Sequence, residues 1–252
     1  SRATGCSAAD RTGMPDRARP VTALILAGGL GTRLRAVLAD RPKPLAEVAG
    51  RPFLCRLLDQ VAEAGLAEAV LCTGHLGQRV QETLGTWYGP LRLRYSQEEA
   101  PLGTGGALRR AEPLAGGDTV LALNGDSYFG LPLEAYLDWH GRLGLDCSLA
   151  VRHVQDGSRY GRVEADGEGR VTAFQEKAEG LGPCWINAGL YLVSRAALRS
   201  LPPDRPLSLE REVLPGWLGR LHAYRAEGPF LDIGTPESLA SAEGFFRAAG
   251  KA

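Results

Sequence analysis

The sequence predicts an α/β protein built on a doubly wound, mainly parallel mixed sheet with a smaller antiparallel lobe, and three observations carry the prediction. Apolar runs alternate with amphipathic helical patterns from Val21 to about Leu143. A glycine-rich segment, Gly28-Gly29-Leu30-Gly31, follows the first apolar run, at the strand end where open α/β sheets bind ligands. Beyond residue 146 the pattern changes to short strand-like runs separated by turn signals, which predicts antiparallel or mixed additions walling one side of that crevice.

The elements follow in order. Val21–Leu26 reads as a buried first strand. Phe53, Leu54, Leu57, Leu58 and Val61 form one helical face within Phe53–Ala64. Ala69–Thr73 and Leu91–Tyr95 are strands followed by helices near Gln78–Leu84 and Thr104–Glu112, and Thr119–Leu123 leads through Asn124-Gly125-Asp126 to a helix at Leu133–Leu143. Cys147–Val154, Gly161–Ala165, Val171–Glu176 and Trp185–Val193 are strand-like, the middle two joined by the turn Asp166-Gly167-Glu168-Gly169. Short helices at Arg195–Ser200 and Ser208–Leu214, a strand at Leu221–Tyr224 and a helix at Pro236–Ala249 complete the reading.

Composition narrows the function. A length of 252 residues, 44% apolar, suits one domain over 20–252, and no linker divides it. Residues 1–19 are polar and carry four arginines with no apolar core, so they read as a disordered leader or a non-native remnant and not as a signal peptide. Lysine plus arginine and aspartate plus glutamate both number 29, which argues against nucleic-acid or membrane-surface partners and requires any anionic ligand to meet a local cationic cluster. The five cysteines form no C-x-x-C pair, which fits a reducing cytoplasm better than a disulfide framework. The four histidines have no metal-like spacing, and no G-x-S-x-G opens a serine nucleophile. Tyr160 and Trp185 are open to two readings, pocket wall or core.

The glycine loop is read by its neighbours. Its glycines let the backbone approach a ligand with N–H groups exposed, and Arg33 and Lys43 add fixed positive charge, which together suit a polyphosphate. A phosphate loop of the G-x-x-x-x-G-K-[ST] type is excluded, because the only Gly-Lys pair is Gly250-Lys251. A dinucleotide fingerprint is poor, with Leu34 where a small residue is wanted and proline-rich loop at Arg41–Pro44. Lysine is rare: Lys43, Lys177 and Lys251 stand beside 26 arginines, which marks the first two as places where a compact ammonium is required. Asp126 and Asp232 each follow an apolar run at an expected strand end. Two such carboxylates suffice for magnesium, which fills its octahedron with phosphate oxygens and water.

The motifs A-G-G-x-G-T-R at Ala27–Arg33, R-P-K-P at Arg41–Pro44, L-N-G-D at Leu123–Asp126, F-x-E-K at Phe174–Lys177, N-A-G-L-Y at Asn187–Tyr191 and F-L-D-I-G-T-P-E at Phe230–Glu237 resemble, in unbroken order, the sugar-1-phosphate nucleotidyltransferases. The resemblance implies a Rossmann-like sheet of the GT-A type and a sugar-binding antiparallel lobe. It implies that Leu26, Ala27, Gly28, Gly29, Gly31, Thr32 and Asn124 bind the nucleotide, that Gln97, Glu98, Gly103 and Thr104 read base and ribose, and that Arg33, Lys43 and Asp126 are catalytic. Asp126 and Asp232 would hold Mg2+, and Gly161, Glu176, Lys177 and Asn187 would face the sugar phosphate. The implied partners are a nucleoside triphosphate and a sugar 1-phosphate, on a monomer or homodimer. Ser127-Tyr128-Phe129 after N-G-D leans the resemblance toward short bacterial enzymes that activate D-glycero-α-D-manno-heptose 1-phosphate with GTP, or ATP. Mannose-1-phosphate guanylyltransferases and uridylyltransferases acting on N-acetylmuramate or hexose 1-phosphates are the alternatives, and the end of the chain soon after Asp232 carries the expectation of no appended β-helical domain. A non-catalytic nucleotide-sugar-binding subunit is a reading of a different class, and a glycosyltransferase is disfavoured by the lack of a D-x-D pair.

Overall fold

The computed structural model describes residues 20–29, 42–175 and 182–250. In chain order these form β1 (Val21–Leu26), a 3-10 turn at Lys43–Leu45, β2 (Glu47–Val48), β3 (Arg51–Pro52), α1 (Phe53–Glu63), β4 (Glu68–Thr73), α2 (Gly77–Leu84), β5 (Trp87–Tyr88), β6 (Leu91–Gln97), α3 (Gly103–Ala111) and β7 (Thr119–Asn124). The chain continues through β8 (Ser127–Phe129), α4 (Leu133–Arg142), β9 (Cys147–Val154), β10 (Arg162–Ala165), β11 (Val171–Gln175) and β12 (Cys184–Ser194). Last come α5 (Arg195–Arg199), a π-turn at Leu209–Val213, α6 (Leu214–Gly216), β13 (Leu221–Arg225), β14 (Phe230–Asp232) and α7 (Pro236–Ala248).

Ten strands make one sheet, with β7, β1, β4 and β6 as its parallel centre. Residues on each central strand alternate between two packed layers. Ala23, Ile25, Leu71, Leu121 and Leu123 meet α1, α4 and α7, while Leu24, Val70, Val120 and Ala122 meet α3, α5 and the π-turn region. Both faces are therefore covered by helices, as the near-continuous apolar runs require. The closing helix α7 is anchored by a capping box in which Thr235 and Ser238 satisfy each other's backbone N–H groups, worth about 1 kcal/mol.

The antiparallel half does not form a separate sheet. β12 pairs antiparallel with both β7 and β9, so β9, β10, β11 and β13 extend the same sheet, and β13 joins β9 in parallel. β12 reaches both neighbours through a bulge between Asn187 and Tyr191, where Gly189 has a φ of +77° that a side chain rarely adopts. Sequence reading missed β8, three residues directly after the Asn124–Asp126 turn, and took the region 208–214 as an ordinary helix where the chain makes a π-turn. Among the described residues no helix is long and apolar enough to cross a membrane.

His140 on α4 is buried, with Nδ1 2.8 Å from Ser148 Oγ, which lies 3.0 Å from Tyr136 OH. Burial lowers its pKa to about 4, below the roughly 6.5 of an unfolded chain. Between those values the unfolded state holds a proton that the folded state refuses, so this contribution to stability is complete above pH 6.5 and is lost as pH falls toward 4. Thermal unfolding of the wild type is expected to lose Tm more steeply over that window than His140→Asn, the difference corresponding to at most about 3 kcal/mol; parallel Tm curves would refute it.

Candidate functional site

The carboxyl ends of β1, β4, β6 and β7 open into a crevice, as the topology of a parallel sheet dictates. A cavity of about 550 Å³ there is lined by Leu26, Gly28, Gly29, Lys43, Glu98, Gly103, Thr104, Asn124 and Asp126, all named from the sequence. Ala27 is buried in the wall behind it, donating its N–H to Cys72 O at 2.8 Å. Gln97 lines an adjoining cavity of about 420 Å³ with Gly28, His75 and Glu98. Gly161, Asn187 and Asp232 line a third, of about 410 Å³, with Tyr160 and Phe174. Gly31, Thr32, Arg33, Glu176 and Lys177 lie outside the described residues.

Backbone contacts set the walls. Gly125 donates its N–H to Leu26 O at 3.0 Å, and a Cβ at Gly125 would run into that same oxygen. The ends of β1 and β7 are thereby drawn together, which turns Asp126 into the crevice. Glu98 N donates to Thr73 O at 2.9 Å and Glu98 Oε2 accepts from Leu102 N at 3.1 Å, so the carboxylate stands against Gly28 and Gly74, where a Cβ would come within 3.2 and 2.9 Å of its Oε1. Burial raises the Glu98 pKa, opposed by the Leu102 N–H and by Arg110.

The two acids meet although 106 positions separate them, since 232 less 126 is 106. β8 and β14 pair antiparallel with Ser127 opposite Asp232, and Ile233 N donates to Asp126 O at 2.9 Å. Ser127 Oγ lies 3.3 Å from both Asp126 Oδ1 and Asp232 Oδ2. Lys43 Nζ donates to Asp126 Oδ2 at 2.6 Å; the lysine side chain is 13% exposed and the aspartate 39%, so the pair is screened on the carboxylate side. The Gly234 N–H donates to Asp232 Oδ1 at 2.7 Å, and Arg159 reaches the same oxygen at 3.7 Å. Two carboxylates that face each other across one hydroxyl form a hard oxygen donor pair of the kind magnesium takes when phosphates complete its shell. Among the described residues no group of three or more His, Cys, Asp or Glu side chains forms a metal cluster.

Sequence reasoning missed Ser127, Arg159 and Glu210. Ser127 and Arg159 stood in the open, beside Asp126 and before Tyr160-Gly161, but nothing in spacing connects either to Asp232. Glu210 lines both the first and third cavities, and its place in the charged run Glu210-Arg211-Glu212 of a helical pattern gives no sign of that. Of the two undecided aromatics, Tyr160 lines the third cavity, whereas Trp185 packs against His153 and Arg225.

Comparison with known proteins agrees with this architecture. The family model described as nucleotidyl transferase matches residues 22–248. Mannose-1-phosphate guanylyltransferase of Mycobacterium tuberculosis is 37% identical over 224 residues, which is 87% of this chain and 62% of that protein, so this chain spans less than two thirds of that relative. D-glycero-alpha-D-manno-heptose 1-phosphate guanylyltransferase of Aneurinibacillus thermoaerophilus is 31% identical over 88% of this chain and 96% of its own. The crystal structure of HddC from Yersinia pseudotuberculosis complexed with GMP-PN superposes with a TM-score of 0.80 at 31% identity, covering 90% of this chain and 99% of that one.

The wall geometry separates two glycines of one crevice. Gly125→Ala is expected to cost about 1–3 kcal/mol through the collision with Leu26 O, whereas Gly29→Ala, whose Cβ meets nothing within 4 Å among the described residues, stays within about 0.5 kcal/mol of wild type. Chemical denaturation of both variants reads the difference, and equal midpoints would contradict it.

Proposed function

Because the chain belongs to the nucleotidyl transferase family, we propose that it transfers a guanylyl group from GTP to a sugar 1-phosphate, in first place a heptose 1-phosphate, releasing pyrophosphate and forming a GDP-sugar. The observation that carries the reading is the convergence of Lys43, Asp126 and Asp232 beside Gly28 and Gly29 at the strand ends. The heptose reading is supported by a relative matched over 96% of its length. Mannose 1-phosphate is the second reading, favoured by the 37% identity to a mannose-1-phosphate guanylyltransferase.

The chemistry is attack by an oxygen of the sugar phosphate on the α-phosphorus, with pyrophosphate leaving in line. A phosphate monoester is already a charged nucleophile, so the protein supplies position and charge neutralisation more than proton transfer. Lys43, carried on a rigid proline-flanked turn, offers a fixed ammonium to phosphate oxygens at the crevice floor. Arg33 would hold the triphosphate and the leaving pyrophosphate, with Gly31 and Thr32 beside it, while Glu176, Lys177, Gly161 and Asn187 would hold the sugar phosphate. Asp126 and Asp232 would hold magnesium, which when bound neutralises phosphate charge. Glu98 fits guanine, because one carboxylate can accept the adjacent N–H donors on that base's pairing edge and adenine offers no such pair. Four free cysteines among the described residues support a cytoplasmic site of action for a monomer or homodimer.

A matrix of four nucleoside triphosphates against heptose, mannose, glucose and N-acetylated sugar 1-phosphates, with magnesium and scored by pyrophosphate, tests the proposal. GTP with heptose 1-phosphate is expected to give the highest kcat/KM, and no pyrophosphate from any pair would end the reading. Lys43→Ala and Asp126→Ala are each expected to lose about 100-fold or more in kcat. Glu98→Gln is expected to reduce the preference for GTP over ATP by roughly 10- to 100-fold; an unchanged preference would remove Glu98 from base recognition.

A further inference from the structure

Resting on the proposed function, we infer that Glu210 is a specificity-determining acceptor that reads a sugar hydroxyl at the wall shared by the two substrate chambers. The cavities of about 550 and 410 Å³ share Gly103, Thr104, Asn124 and Glu210, and Glu210 is the one charged residue of that set. Its carboxylate is held from two sides. Thr104 Oγ1 donates to Oε2 at 2.9 Å while accepting the Leu209 N–H at 2.7 Å, and Tyr191 OH donates to Oε1 at 3.4 Å while accepting from Asn187 Nδ2 at 2.7 Å. Tyr191 is fully buried, and burial together with the Glu210 charge keeps its phenol protonated, so it acts as a donor. Both hydroxyl protons are therefore committed to Glu210.

The segment bearing Glu210 is clamped to the loop that opens α3. Gly105 N donates to Leu207 O and Leu207 N to Leu102 O, each at 2.8 Å, and Ser208 caps the π-turn at Arg211 N. π-turns concentrate at functional positions because they place one side chain where a regular helix would not. A carboxylate offers about four acceptor positions, of which the two donors among the described residues use two. The remaining ones serve a half-buried group on the boundary between cavities. Direct contact of a phosphate with that carboxylate is opposed by like charge, so the group it accepts from is a neutral donor. What both substrates present to such an acceptor is a hydroxyl, from the ribose of the nucleotide or from the ring of the sugar phosphate.

The test compares kcat/KM for GTP against its 2′-deoxy and 3′-deoxy forms, and for the sugar 1-phosphate against its singly deoxygenated analogues, in wild type and Glu210→Gln. Wild type is expected to reject at least one analogue by roughly 10- to 100-fold, as for a lost hydrogen bond to a charged group. In Glu210→Gln, whose amide must turn a donor toward Thr104 or Tyr191, that ratio is expected to fall to within about threefold of one. Collapse on the ribose arm assigns the hydroxyl to the nucleotide, and collapse on the other arm assigns it to the sugar. Undiminished discrimination in the variant overturns the inference, as does a wild type that accepts every deoxy analogue as well as the parent, which holds even if the variant does not fold. Absence of pyrophosphate release from the parent substrates would instead strike the proposed function itself.

Discussion

Two three-residue strands hold the site together. The pairing of β8 with β14 places Ser127 opposite Asp232, and the Ile233 N–H closes onto Asp126 O. Without that ladder the two acids would belong to unconnected parts of the chain. With it they share one hydroxyl, and Lys43 supplies a cation to one carboxylate while Arg159 approaches the other. The α7 helix secures the arrangement from behind, since its Phe245 and Phe246 rings pack edge-on against Tyr128 of β8.

The rest of the crevice depends on close backbone approach. Parallel strands deliver their loops to one end of the sheet, but loops alone leave a broad opening. The Gly125 N–H bond to Leu26 O narrows it on one side, and Glu98 packed on Gly28 and Gly74 narrows it on another. The chain as a whole is electrically balanced at 29 basic and 29 acidic residues, so recognition of anions relies on where charge is gathered. Lys43 stands in that crevice with Glu98, Asp126 and Glu210, its ammonium paired with Asp126.

Local physics made much of the fold legible. β1, β9 and the starts of α1, α4 and α7 were readable from local pattern, because each such segment buries a face whichever neighbours supply the other side. Gly28, Gly29, Lys43 and both aspartates were singled out by residue type and position, and the structure brings them to the strand ends. What escaped was short or non-local. β8 is too brief for periodicity to register, and its existence depends on β14. The π-turn differs from a helix by a single hydrogen-bond register, and its departure is set by the clamp between Leu207 and the Leu102–Gly106 loop.

The sequence by itself determined the alternation of strands and helices, the strand end at which the crevice opens and several of the residue types gathered there, because side-chain period and backbone freedom act over a few residues. Only the tertiary structure decided that the antiparallel strands extend the central sheet, that Ser127 joins Asp126 to Asp232, and that Glu210 stands between two chambers. Those relations depend on hydrogen bonds between segments far apart in the chain, and such pairing follows from how the whole core packs and not from any window of residues within it.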